Sequence, residues 1–236
     1  MNLKPFFSYY GGKWRAAPHY PAPKYDTIVE PFAGSAGYSL RYADRRVRLN
    51  DKDEIICGVW DYLIHAPSSE ILALPEQVAH VDDLHVSQEA KWLIGFWLNK
   101  GAASPCKTPI SWMRSGLRPN SYWGPTIKNR IANQQQHIRH WKVFNLSYSN
   151  LVLTGKATWY IDPPYIGAGK FYRHSSSGID YDHLGAWCRS IRGHVIVCEN
   201  EGANWIPFSA TLHTKATPGR KRKGVSAEVI YEHELD

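Results

Sequence analysis

The sequence predicts an α/β protein: a doubly wound parallel sheet with an antiparallel last strand, plus a small helical insert domain. Three observations predict it. Short β-branched runs alternate with helical segments, the pattern of a parallel sheet. A small-residue turn, Ala33-Gly34-Ser35-Ala36-Gly37, follows the first run and leads into a helix. The alternation is then broken in mid-chain by a stretch that is helical and basic. With 236 residues, 43% of them hydrophobic, the chain suffices for one sizeable core and at most a small second lobe.

The elements follow in order. Thr27-Ile28-Val29 is the first strand and ends at Glu30-Pro31; Tyr38 to Tyr42 reads as helical after the turn. Val47-Arg48-Leu49 is a second strand, closed by Asn50-Asp51. Asp53-Glu54 caps a helix running to about His65, because acids suit a helix N-terminus. Ser87-Gln88-Glu89 caps another through Leu98, and Pro125 fits the first turn of a helix ending near His140. Gly101 to Gly124, rich in Gly, Pro, Ser and Asn, reads as long loops. The α/β pattern resumes at Trp141 to Leu146 and continues with a strand at Ala157 to Ile161, a helix at Tyr181 to Ile191 and a buried strand at His194 to Cys198. Ser209 to Thr214 and Val225 to His233 read as two strands joined by the basic loop Arg220-Lys221-Arg222-Lys223. Residues 1–57 and 140–236 form the sheet domain on this reading, and 58–139 the insert.

Composition excludes several classes. An aromatic content of 13% argues against a disordered chain. No apolar run reaches the ~18 residues of a membrane span, and the start of the chain lacks the apolar stretch of a signal peptide. The expectation is a cytoplasmic protein of a bacterial cell or a phage-infected host, with no membrane partner. Cys57, Cys106, Cys188 and Cys198 form no CxxC pair, which argues against a zinc ribbon and a dense disulfide scaffold.

The net charge of +7 is unevenly spread. From Ala90 to Ile161 there is no Asp or Glu, while the same stretch holds ten Lys or Arg and six of the ten tryptophans. Cations neutralise phosphates and aromatics stack on unpaired bases, so the stretch points to a polyanion; a solvated basic face over an aromatic core is the plainer reading.

Three motifs carry chemistry. Glu30-Pro31-Phe32-Ala33-Gly34-Ser35-Ala36-Gly37 lets a ligand approach the backbone after the first strand, although the full G-x-G-x-x-G fingerprint is absent. Asp51, at the end of the second strand, stands where an acid holds a ribose; Asp53 does the helix capping and leaves it free. Asp162-Pro163-Pro164-Tyr165 is the most specific. Two prolines end the strand with fixed φ and no N–H, bringing a carboxylate, a free carbonyl and an aromatic ring together at a strand's carboxyl end. That group suits a planar substrate bearing an amino group.

These motifs, with Tyr9-Tyr10-Gly11-Gly12-Lys13, resemble the Dam-type DNA adenine-N6 methyltransferases, the D12 class with the group α motif order. The order matches: the GGK segment, the glycine turn, the insert, then DPPY. Several expectations follow from the resemblance. The sheet is the Rossmann-like one of methyltransferases, the cofactor is S-adenosylmethionine with S-adenosylhomocysteine as product, and no metal is required. The partner is double-stranded DNA, whose target adenine is flipped out, and the protein acts as a monomer or as a dimer on DNA. Tyr9, Tyr10, Gly11, Gly12, Lys13, Glu30, Pro31, Phe32, Ala33, Gly34, Asp51 and Asp162 are expected at the cofactor, and Asp162, Pro163, Pro164 and Tyr165 at the chemistry. Arg114, Arg118, Lys128 and Arg130 of the insert, and Arg220, Lys221, Arg222 and Lys223, are expected on DNA. Val225 to Ile230 resembles the family's last strand. Two departures stand out. Ala36 replaces the second glycine of the family's F-x-G-x-G, and Ser8 stands where the GATC-specific members carry a basic residue, so the resemblance does not extend to GATC recognition.

The residues suggest how such a site would act. The lone pair of adenine N6 is delocalised into its ring. Hydrogen bonds from N6–H to Asp162 and to the Pro163 carbonyl would make the nitrogen more tetrahedral, with Tyr165 stacking on the extruded base. Trp112 and Tyr122 either fill the gap left by that base or pack the insert. An RNA adenine-N6 methyltransferase would use the same tetrapeptide. An enzyme acting on a protein amide would carry N-P-P-Y, and an inactive DNA-binding module would be expected to lose Asp162 or Lys13. A metal-dependent nuclease finds support only in His80/His85 and His137/His140, and no nearby Cys or carboxylate accompanies His137 and His140.

Overall fold

A computed structural model of the chain describes residues 2–116, 119–215 and 225–236. Its strands are β1 (Thr27–Glu30), β2 (Arg46–Asn50), β3 (Lys142–Phe144), β4 (Ala157–Ile161), β5 (Gly193–Asn200), β6 (Ala210–Lys215) and β7 (Val225–Leu235). All seven join one sheet in the order β3-β2-β1-β4-β5-β7-β6. The first five are parallel; β7 runs antiparallel to β5, and β6 antiparallel to β7. This is the doubly wound, Rossmann-like α/β fold expected, with its antiparallel end. The strand order reverses between β1 and β4, where open α/β sheets place their ligands.

The helices are α1 (Glu54–His65), α2 (Ser68–Ala73), α3 (Gln88–Leu98), α4 (Ser111–Arg114), α5 (Pro125–Gln135) and α6 (Tyr181–Ser190). Asp53 caps α1 by accepting from the Ile55 N–H, and Ser87 caps α3 by accepting from Ala90. Three stretches depart from the sequence reading. Tyr38 to Tyr42 forms only a 3₁₀ turn at Ser39–Tyr42, the helix from Pro125 ends its α portion at Gln135 and closes with a 3₁₀ turn, and the loop region 101–124 contains α4. No helix among the described residues is long and apolar enough to cross a membrane.

Two apolar layers sandwich the sheet. On one face Val29, Trp159, Ile161, Val195 and Val197 pack against Leu184 and Cys188 of α6. On the other, Ile28, Leu49, Tyr160 and Ile196 share a core with α1, α3, α5 and the N-terminal Phe6 and Phe7. The boundary drawn at 57/58 falls inside α1, which runs unbroken, and the helices of 58–139 contribute to this same core. Trp60, fully buried, packs against Phe6, Phe7 and Trp141 and donates its indole N–H to the Gly34 carbonyl. Gln135 is equally buried; its amide donates to the carbonyls of Leu63 and Ala66, tying the end of α5 to the end of α1.

The segment from Tyr9 to Trp14 lies against the turn after β1. A Cβ at Gly37 would stand 2.5 Å from the Trp14 nitrogen and 2.8 Å from the Lys13 carbonyl carbon. Backbone atoms cannot swing aside as a flexible side chain does, so this glycine serves the approach of the Lys13 segment to the turn. Gly37→Ala should therefore destabilise the protein by about 1–3 kcal/mol, the usual cost of overpacking. Urea unfolding of the two proteins checks this, and an unchanged midpoint would show that the segment yields freely.

Candidate active site

The carboxyl ends of β1, β2 and β4 carry the site, and one buried side chain organises them. Asn50, 1% exposed, donates to the carbonyls of Pro31 and Leu146 and accepts from the Leu146 N–H, while its own carbonyl accepts from Ala33. It thus joins the turn after β1 to the loop after β3. Within that turn Gly34 has φ 46° and Ala36 φ 50°. Ala36 is the one non-glycine residue with positive φ among those described, a conformation that costs an alanine about 1 kcal/mol or more. It is fully buried, and the turn holds it there: the Ala36 N–H donates to Ala33, and the Ser39 N–H donates to the Glu30 carboxyl at 2.7 Å.

Asp51 is not free, as its place in the sequence suggests, but built into the same turn. One carboxyl oxygen accepts from the Gly34 N–H and the other from the Asp53 N–H, each at 3.0 Å. Each oxygen keeps a further lone pair for a ligand hydroxyl. Burial pushes the Asp51 pKa up to about 6 against the pull of these N–H groups, so the group is an ionised acceptor at neutral pH.

Every residue assigned above to the cofactor, from 9–13 and 30–34 to Asp51 and Asp162, lines a single cleft of about 520 Å³. That volume suits a ligand of small-molecule size. Pro164 lines it too; Tyr165 sits behind it, 8% exposed. At its inner end the Lys13 ammonium lies 3.0 Å from Asp162 Oδ1, 3.7 Å from Glu228 Oε1 and 4.3 Å from the centre of the Tyr165 ring. The ion pair is close, and the Tyr165 hydroxyl also lies beside the Asp162 carboxyl. Burial raises the Asp162 pKa, and Lys13 opposes the rise. The Pro164 carbonyl accepts from the Tyr181 hydroxyl and that of Tyr165 from the Gly169 N–H, which fixes the tetrapeptide's exit.

Sequence reasoning missed two walls of the cleft. One is Ser147-Tyr148-Ser149 after β3, where Tyr148 packs on Phe32 and its hydroxyl meets His183 Nδ1 at 2.7 Å. The other is the strap from Tyr172 to Asp180. The Tyr172 hydroxyl donates to the Tyr10 carbonyl, and Arg173 bridges Asp53 and Glu54 at the start of α1. The rule that ligands gather at strand carboxyl ends would have flagged Ser147 to Ser149; no sequence signal marks the strap. Asp53, Glu54 and His174 bring three ligand atoms within 4.8 Å of one another, but Arg173 already neutralises two of them. Of the other histidines, His80 caps the 3₁₀ turn at Val81–Asp83, and His140 meets the Arg45 carbonyl.

The expected DNA-contacting residues divide. Arg114 is exposed in α4, with its guanidinium on the Pro109 carbonyl. Lys128 and Arg130 do not face outward: Lys128 is buried between the Leu74 carbonyl and Glu76, and Arg130 covers the Trp97 ring and donates to Pro5. Lys128 holds the insert together, and Arg130 ties it to the N-terminal segment. Arg118 and the loop Arg220, Lys221, Arg222 and Lys223 lie outside the described residues. Ser8, in place of a basic residue, accepts from the Gly101 N–H. Of the two aromatics flanking the loop, Tyr122 is buried and Trp112 is exposed.

Three buried carboxyls at this edge share a pH dependence. Burial pushes Glu30 up to about 8, Glu199 to about 7 and Asp51 to about 6. Each binds its proton more tightly in the folded chain than in the unfolded one. Their contribution to stability is therefore fully present near pH 4 and is lost as the pH rises through about 8. Thermal unfolding across pH 5 to 8.5 should show a falling midpoint. Glu30→Gln, which keeps the acceptor for Ser39, should flatten the upper part of that fall; parallel curves would refute the assignment.

No protein-family model matches the chain, and no curated protein matches it in sequence. Among solved structures, a conserved hypothetical protein from Streptococcus pyogenes is similar over 88% of this chain and 86% of its own, at 12% identity and a TM-score of 0.37. Function must therefore be read from the cleft itself.

Proposed function

We propose that the protein is an S-adenosylmethionine-dependent methyltransferase that modifies N6 of an adenine extruded from double-stranded DNA. The observation that carries this reading is the inner end of the cleft. A half-buried carboxylate, Asp162, and an aromatic ring, Tyr165, meet at the carboxyl end of the central strand, with the Lys13 ammonium held between them. An exocyclic amine matches the acceptor that Lys13 occupies, and a purine matches the ring. The sequence resemblance names the same residues for the same roles.

The cleft fits the cofactor by the chemistry of its donors. Asp51 offers an ionised acceptor for ribose hydroxyls beside backbone already drawn tight by Gly34. Tyr148 and Phe32 give an apolar wall for its adenine. When bound, S-adenosylmethionine supplies a methyl group on a cationic sulfur. Asp162 and the Pro163 carbonyl would hold the two N6 hydrogens and orient the nitrogen lone pair toward the methyl carbon; as the C–S bond breaks to the thioether, the N6 cation loses one proton by way of Asp162 to solvent. Tyr165 fixes the plane of the base. Positioning and electrostatics account for the acceleration, with no proton transfer required before the methyl is attached. Extrusion costs a few kcal/mol, which stacking in the pocket offsets.

Incubation with tritiated S-adenosylmethionine and duplex DNA, RNA or protein tests the reading: label should enter the DNA. Label in RNA alone would make the protein an RNA adenine methyltransferase, and no label in any fraction would end the methyl-transfer reading. Asp162→Ala should abolish transfer while retaining most affinity for cofactor and DNA; near-native turnover would refute the mechanism. Asp51→Asn should weaken the cofactor at least about tenfold, since a hydrogen bond to a charged acceptor contributes about 1.5–3 kcal/mol. Native affinity should also rise with pH through about 6, as Asp51 ionises, and the variant should lack that rise. Calorimetric titration at pH 5 and pH 7.5 measures both effects.

A further inference from the structure

The Lys13 ammonium stands where the proposed reaction needs the substrate amine. It is 3.0 Å from Asp162 Oδ1 and 4.3 Å from the centre of the Tyr165 ring. Those are the two groups assigned to the amino group and the ring of the target base. Two nitrogens cannot share that place at interior packing density, so the ammonium must withdraw when the amine arrives. A buried cation that leaves its partner needs another.

Glu228 on β7 is built to be that partner. It is 6% exposed, and its Oε1 lies 3.7 Å from Lys13 Nζ. That separation is too long for a hydrogen bond and short enough for strong attraction; a shift of about 1 Å would close it. The other carboxyl oxygen, Oε2, accepts from the buried Tyr20 hydroxyl, so the carboxylate is held with Oε1 toward Lys13. Lys13 also donates to the Gly11 carbonyl, which keeps its stem in reach of both acids. Burial alone would lower the Lys13 pKa, but Asp162 and then Glu228 outweigh it and hold the group above the ordinary lysine value. We propose that Glu228 is a positioning residue: it shares the Lys13 ammonium with Asp162 before substrate binds, and takes it over when the reacting amine reaches Asp162. The inference rests on the methyl-transfer reading and adds to it. No bond is made or broken in this step and no proton changes hands; one ammonium moves between two carboxylates. Asp162 is thereby left to act on the substrate instead of neutralising a lysine.

Glu228→Gln keeps the size of the side chain and an acceptor for Tyr20 while removing the charge. Two measurements test it together. The first needs no substrate: competitive acetylation at pH 9 followed by peptide mass spectrometry reads how basic Lys13 is. The variant's Lys13 should label several-fold faster, as one anion fewer holds its proton. The second is steady-state methyl transfer to unmodified duplex DNA. The variant's KM for DNA should rise about tenfold, the scale of a close, desolvated charge pair, with cofactor affinity unchanged within about twofold. Glu228→Asp should recover much of the loss. Should Glu228→Gln fold poorly, Tyr20→Phe, which frees the carboxylate but leaves its charge, should raise KM in the same direction. Unchanged labelling and unchanged KM in an active enzyme would overturn the role of Glu228 alone. Loss of cofactor affinity in step with turnover would also overturn it, as a structural defect at the cofactor. A native protein that methylates no substrate, even with the labelling shift present, would overturn the functional reading and this inference with it.

Discussion

The ion pair between Lys13 and Asp162 is the contact on which the site depends. It joins the first 3₁₀ turn of the chain to the end of the central strand, 149 positions further on. Its two charges lie in a place poor in water, so neither is stable there alone. Glu228, Tyr20 and Tyr165 surround the pair; Glu228 comes from β7, Tyr20 from the N-terminal segment and Tyr165 from the tetrapeptide of Asp162 itself. The pair also sets the chemistry of the cleft, because a carboxylate held against an ammonium keeps its charge in surroundings that would otherwise protonate it.

The glycine turn after β1 supports this arrangement from below. Its glycines do more than admit a ligand. Gly37 admits the backbone of Lys13 and Trp14, and Gly34 lies against the Tyr9 ring while accepting from Trp60 of α1. Ala36 is held in a conformation that few alanines adopt, and the surrounding bonds over-determine it. The turn is therefore where the N-terminal segment, the sheet and the insert meet. A change here moves the lining of the cleft and Lys13 together.

Charge in the insert shows how distance along the chain misleads. The acid-free stretch from Ala90 to Ile161 draws its counter-charges from outside itself: Lys107 pairs with Asp82, Lys128 with Glu76 and Lys156 with Asp236. Arg139 satisfies the carbonyls of Ile64 and Ala66 at the end of α1, where a cation also suits the helix dipole. Part of the positive charge is thus paired or fastens helices to the rest of the chain. Lys100, Lys107, Arg114, Arg139, Lys142 and Lys156 are nonetheless exposed.

The sheet and the strands that form it were legible because apolar period, turn residues and proline breaks are local properties. β4 begins and ends where its residues predict, at Ala157 and Ile161, and the two prolines that follow end it by geometry alone. Asp162, Asp51 and the turn were legible for the same reason: strand ends in such a sheet share an edge, so residues at strand ends become neighbours. Lys128, Arg130, Glu228 and the strap at Tyr172 to Asp180 were not. Whether a cation faces solvent or a carbonyl, and which acid sits beside Lys13, depends on partners 50 to 215 residues away. The sequence by itself determined the fold class, the carboxyl edge and the residue types gathered there. Only the tertiary structure decided which charges are paired, because burial and distance, not residue type, settle where an ion can stay.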